Sequence, residues 1–86
     1  MPKLEILYFA WVHEGVGKDG ETIEHPGAEV TVSELIARLA ERGEGYAQAF
    51  AVTGRVRAAL DQQFVPLDTR LGQAKELALF PPVTGG

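Results

Sequence analysis

The chain opens on strict alternation. Leu4, Ile6 and Tyr8 alternate with Glu5, Leu7 and Phe9, so residues 3–10 read as a strand with the first set on one face and the second on the other. Residues 11–17 predict a short helix of low intrinsic stability, weakened by Gly15 and ended by Gly17. A turn at Lys18-Asp19-Gly20 leads to a second strand over residues 21–25, closed by Pro26-Gly27. The clearest helix signal begins at Thr31. Thr31-Val32-Ser33-Glu34 fits the capping box, in which Thr31 caps the helix and Glu34 reaches back to the Thr31 backbone N–H. Val32, Leu35, Ile36 and Leu39 then form one apolar stripe, with Arg38, Glu41 and Arg42 largely off it and Gly43 as the expected stop.

Residues 46–50 add a helical turn. Residues 56–60 read as a third strand, Asp61-Gln62-Gln63 as a turn, and Phe64-Val65 as a fourth strand ended by Pro66. The last strand covers residues 76–80, and Pro81-Pro82 forbids its continuation inside a sheet. One long helix provides too few crossovers for a doubly wound sheet. The order of elements predicts an α+β domain, a mixed sheet packed on one main helix. The domain is expected to span residues 1–80, and residues 81–86 to form an extended tail.

Composition narrows the function. The chain has 86 residues, a net charge of −4 and no block of like charges, which disfavours a nucleic-acid or anionic-membrane surface. No stretch approaches the roughly 18 apolar residues of a membrane span, and the N-terminus shows no targeting segment, so a cytoplasmic location is expected. There are no cysteines, so the chain cannot carry sulfur on a side-chain thiol. His13 and His25 lack a carboxylate or thiolate at ligand spacing and read as surface residues; no metal site is expected. Ser33 has no triad context, and there is no Gly-rich phosphate loop. Nothing in the chain reads as a self-contained active site.

The tail is where chemistry fits. Pro81-Pro82 stiffens the exit, Val83 and Thr84 favour extended backbone, and Gly85-Gly86 removes every side chain from the tip. Beyond Phe80 such a tail spans roughly 20 Å when extended. It can thread a narrow channel and present only the acyl carbon of Gly86, unhindered. At average glycine usage two terminal glycines arise by chance in roughly half a per cent of chains, so the strand and the Pro-Pro stiffener before them add to the signal. In the last strand Phe80 shares a face with Glu76, and Phe9 shares one with Glu5, which marks both phenylalanines as candidates for an exposed docking patch with Phe64.

Leu79-Phe80-Pro81-Pro82-Val83-Thr84-Gly85-Gly86 resembles the C-terminal signature of the small, sulfur-carrier subunits of molybdopterin synthase. Tyr8-Phe9-Ala10, Glu14 and Val16-Gly17 are similar to the N-terminal motif of that family, and Ala58-Ala59-Leu60-Asp61-Gln62 to its central strand and turn. The resemblance covers essentially the whole chain. It departs at His13, where the family often has Arg, at Gly15, where a larger apolar residue is usual, and at Gly72-Gln73-Ala74-Lys75, where an Asp-Gly-Asp-like turn is common.

The resemblance implies a ubiquitin-like β-grasp fold and a role in molybdenum cofactor biosynthesis. It implies that an activating enzyme, using ATP and magnesium, adenylates Gly86, and that a persulfide donor converts it to a thiocarboxylate. The tail then enters the large subunit, within a heterotetramer, and gives sulfur to cyclic pyranopterin monophosphate. Phe9, Phe64, Phe80, Pro81, Pro82, Val83, Thr84 and Gly85 are then the expected partner contacts, and no cofactor is bound by the chain itself. Alternatives are a sulfur carrier for thiamine or tRNA thiolation, which generally lacks Phe-Pro-Pro-Val-Thr before Gly-Gly, and a ubiquitin-like modifier joined to lysine through Gly86.

Overall fold

A computed structural model of the chain describes residues 2–51 and 56–82. Along them run β1 (Lys3–Tyr8), α1 (Ala10–Val16), β2 (Gly20–Glu24), α2 (Val32–Ala40), α3 (Glu44–Ala49), β3 (Arg57–Leu60), β4 (Gln63–Val65) and β5 (Glu76–Phe80). The strands form one sheet in the order β2-β1-β5-β3-β4. Only β1 and β5 are parallel; β1–β2, β5–β3 and β3–β4 are antiparallel. This is the mixed α+β sheet that the order of elements predicts, in the ubiquitin-like β-grasp arrangement that the resemblance implies, with β5 at its centre.

Alternation explains which face of the sheet is covered. Leu4, Ile6 and Tyr8 of β1, Ala58 and Leu60 of β3, and Leu77 and Leu79 of β5 are all buried. They meet Val32, Leu35, Ile36 and Leu39, the apolar stripe of α2, with Val12, Phe50, Val56 and Leu71 completing the core. Burying such side chains contributes roughly 1.5–3 kcal/mol each, and is the main driving force for this small domain. The opposite face carries Glu5, Leu7, Ala59, Phe64, Glu76, Ala78 and Phe80, and none of the described helices packs on it.

α2 starts as its sequence dictates. The Thr31 hydroxyl accepts from the Glu34 backbone N–H at 3.1 Å, and Glu34 Oε1 accepts from the Thr31 backbone N–H at 3.3 Å. Its end corrects the expectation. The helix stops at Ala40, with Glu41 as C-cap, rather than at Gly43. Gly43 has φ 160°, an extended conformation open to any residue, and serves instead as the N-cap of α3. α1 ends as expected at Gly17, whose φ of 87° is the left-handed conformation that favours glycine. β1 stops at Tyr8, two residues short of the alternating pattern, because Phe9 caps α1 and Ala10 turns the chain with φ 53°.

Candidate functional site

The site is organised around the end of β5. β5 is paired with β1 on one side as far as Leu79 and with β3 on the other as far as Phe80, so the strand is held from both flanks almost to its end. Leu77 and Leu79 anchor the strand in the core, which leaves Glu76, Ala78 and Phe80 on the open face. Pro81 and Pro82 follow, half-buried, and with no backbone N–H they cannot extend the ladder. The readings made on Val83, Thr84, Gly85 and Gly86 lie outside the described residues.

Phe80 is not core. It is half-buried, and its ring lies 5.5 Å from that of Phe64, inclined at 44°. Phe64 sits on the edge strand β4 and is 80% exposed. The two rings, with Arg57, Ala58, Val65 and Pro66, line an open groove of about 430 Å³. Phe9 stands on the other flank of β5: its backbone N–H donates to the Leu79 carbonyl at 3.1 Å, and its side chain is 47% exposed. The structure thus brings Phe64 and Phe80 into contact and places Phe9 across β5 from them. Trp11 at 37% exposure was not singled out by the sequence reading, although its position two residues after Phe9, beside buried Val12, marks it as outward.

Phe64 owes its position to a tight turn. β3 and β4 are joined at Asp61 and Gln62, with φ of 48° and 71°, the pair of positive values required by the two-residue hairpin turn that matches strand twist. Neither residue is glycine, so the turn carries strain. The Asp61 carboxylate offsets it by accepting the backbone N–H groups of Lys75 at 2.9 Å and Glu76 at 3.1 Å. The hairpin is thereby tied to the start of β5.

A second polar centre, absent from the sequence reading, closes the β2 edge of the core. Glu21 points inward, and its Oε2 accepts both the Tyr8 hydroxyl at 2.8 Å and the Tyr46 hydroxyl at 2.7 Å. Its Oε1 meets Arg42 at 3.0 Å and Lys18 at 3.8 Å, and both cations also lie over the Tyr46 ring. Burial alone would raise the Glu21 carboxyl, but the two hydroxyls and two cations outweigh it and hold the carboxyl below its ordinary value. The Tyr8 hydroxyl is pushed up by its burial first and by the neighbouring carboxylate second, so it stays a donor.

Of the two histidines read as surface residues, His13 is partly exposed and pairs with a carboxylate there, while His25 is drawn inward. His13 Nε2 lies 2.7 Å from Asp19 Oδ1, a pairing made by the chain reversal after α1 rather than by any helical spacing. His25 is half-buried, its Nδ1 accepting from the Gly27 backbone N–H at 3.1 Å and its Nε2 shielded from solvent. Among the described residues no group of three His, Asp or Glu side chains is arranged to hold a metal ion. None of the described helices is long and apolar enough to cross a membrane.

Chemically, this arrangement offers a rigid scaffold whose last strand leads out beside an uncovered, aromatic sheet face. Comparison with known proteins fits that geometry. The pattern defining the ThiS family matches residues 6–86. The molybdopterin synthase sulfur carrier subunit of Escherichia coli is 36% identical over 85 residues, covering 96% of this chain and 99% of the relative. The protein of the same name from Haemophilus influenzae is 35% identical over 83 residues, with coverage of 96% and 99%. Among solved structures, a Pyrococcus furiosus protein assigned as molybdopterin converting factor, subunit 1, superposes with a TM-score of 0.72 at 26% identity, over 96% of this chain and 100% of that one.

Proposed function

The chain belongs to the ThiS family, and from that premise we propose that it is the sulfur-carrier subunit of a molybdopterin synthase, with Gly86 as the carrier group. The observation that carries this reading is the near end-to-end match to relatives named for that role, together with a family pattern that runs through residue 86. The tail leaving the sheet centre beside an uncovered aromatic face supports it.

In this reading residues 1–80 are scaffold and residues 81–86 are the presented segment. The Gly86 carboxylate attacks the α-phosphate of ATP on an activating enzyme, which also holds the magnesium, and pyrophosphate leaves. A persulfide sulfur of a donor protein then displaces AMP from the acyl carbon, and a thiol cleaves the S–S bond to leave the thiocarboxylate. The tail enters the large subunit, the thiocarboxylate sulfur is transferred to cyclic pyranopterin monophosphate, and hydrolysis returns Gly86 to a carboxylate. Phe80, Phe64 and Phe9 act in docking, and Pro81 to Gly85 position the tip. The chain supplies no acid, base or metal ligand to these steps. It serves a sulfurtransferase as a subunit, in the cytosol.

Mass spectrometry of the protein isolated from cells making the cofactor tests this. We expect one oxygen-to-sulfur exchange, confined to the terminal glycine. A variant lacking Gly86 is expected to fold normally and to fail to support dithiolene formation. Retained synthase activity in that variant, or consistent absence of the sulfur-exchanged species, overturns the assignment.

A further inference from the structure

The segment between β2 and α2 is fastened by a histidine. His25 Nδ1 accepts the Gly27 backbone N–H at 3.1 Å. A ring nitrogen accepts only when it carries no proton, so the neutral imidazole keeps its proton on Nε2. That Nε2 is shielded from solvent and has no hydrogen-bond partner among the described residues. The ring is thus committed to one tautomer and one bond. A second proton has to enter at Nδ1, on the lone pair that Gly27 occupies. In place, it would set two N–H donors against each other and leave a charged ring with no acceptor at either nitrogen.

The surroundings offer that charge no relief. His25 lines an open cavity of about 640 Å³ whose charged members are Lys3 of β1 and Lys75 just before β5, with no carboxylate among the described residues of its wall. Glu24, next to His25 in β2, is turned to Lys3 at 4.0 Å. Glu29 and Arg70 are exposed and stand outside the cavity.

The bond from Gly27 also sets the path of the chain around it. Gly27 has φ 129°, in the region that favours glycine, and its carbonyl accepts the Val30 N–H at 3.2 Å. The carbonyls of Ala28 and Val30 in turn accept the N–H groups of Gly72 at 2.9 Å and Leu71 at 2.8 Å. Leu71 belongs to the core. Residues 25–30 therefore form a strap that clips residues 71 and 72 in place. It lies where the parallel strands β1 and β5 begin, at the end of the sheet opposite the tail.

We propose that His25 is a pH-operated latch: neutral, it locks residues 25–30 against residues 70–72; protonated, its ring leaves Gly27 and the strap opens, while β5 keeps its pairing and holds the tail root in place.

The test is nuclear magnetic resonance on the full-length, nitrogen-15-labelled protein at about pH 8 and about pH 5, a range that spans protonation of an ordinary histidine. Long-range imidazole spectra at the higher pH should show the Nε2–H tautomer. Amide protection, taken relative to the intrinsic exchange rate at each pH, should fall on the order of tenfold at Gly27, Leu71 and Gly72 on acidification and stay level at Leu77 and Leu79. His25→Asn offers Gly27 a side-chain oxygen two residues back that does not titrate, so its strap should stay protected at both pH values. His25→Ala should leave the strap open at both. An Nδ1–H tautomer, equal wild-type protection at the two pH values, or a fall in His25→Asn as large as in wild type overturns the latch. A fall shared by Leu77 and Leu79 overturns it too, because the event is then global unfolding.

Discussion

Replacing Glu21 with Ala gives the sharpest test of what holds this fold together. The side chain is 12% exposed and accepts two tyrosine hydroxyls on one oxygen while pairing with Arg42 on the other. A hydrogen bond to a charged group contributes about 1.5–3 kcal/mol, and bonds that share one acceptor oxygen are not additive. The Arg42 pair is half open to solvent and adds at most about 1 kcal/mol. Removal also leaves the Tyr8 hydroxyl without its acceptor in a residue only 2% exposed. The combined loss is about 3 kcal/mol, which for a domain of this size lowers the melting temperature by roughly 12–24 °C.

Urea denaturation followed by far-ultraviolet circular dichroism measures it, at neutral and at acid pH. The folded Glu21 carboxyl titrates below its ordinary value. Its contribution is therefore complete above the unfolded value of about 4.3 and disappears as pH falls through the folded one. Wild type and Glu21→Ala should differ fully at neutral pH and converge in acid. A neutral-pH difference under about 1 kcal/mol, or one that widens in acid, refutes the reasoning.

Two further outcomes follow from the helices. Gly15→Ala should destabilise by about 1 kcal/mol in the same assay: helix propensity favours Ala by a similar amount, but its Cβ would stand 2.8 Å from the Ala49 Cβ and 3.1 Å from the Ala49 Cα, and overpacking of that kind costs typically 1–3 kcal/mol. Thr31→Ala removes the hydroxyl that caps α2 and should cost about 1 kcal/mol; no change in the urea midpoint would show that the α2 terminus is held by other contacts.

The parts of the structure legible in the sequence are those written in short-range pattern. The capping box at Thr31 and Glu34, the stripe of α2, and the alternation that separates Leu77 and Leu79 from Phe80 all depend on neighbours within a few residues. The same parity would have placed Arg57 beside Phe80 on the open face, since Arg57 and Ala59 alternate with Ala58 and Leu60. Glu21 was hidden for a different reason. A glutamate in a short strand reads as the wet face, and only its shared parity with Ile23 hints that it points inward. Its partners Tyr46 and Arg42 are brought to it by α2 and α3, and no local pattern announces them. His13 and Asp19 meet only because α1 reverses the chain. The Asp61-Gln62 turn lacks the Asn-Gly signature because its strain is offset by the backbone of β5, a contact made across the sheet.

The central position of β5 has a mechanical consequence. A pull on the tail acts along the strand, so the hydrogen bonds to β1 and to β3 are loaded together, in shear, and must fail nearly at once. An edge strand such as β4, peeled from its single neighbour, would open one bond at a time. On the function proposed above, a carrier passed from one protein to another would be tethered through the centre of its sheet. On that reading withdrawal would strain the complex before it strained the carrier, and repeated rounds of loading would leave the domain folded.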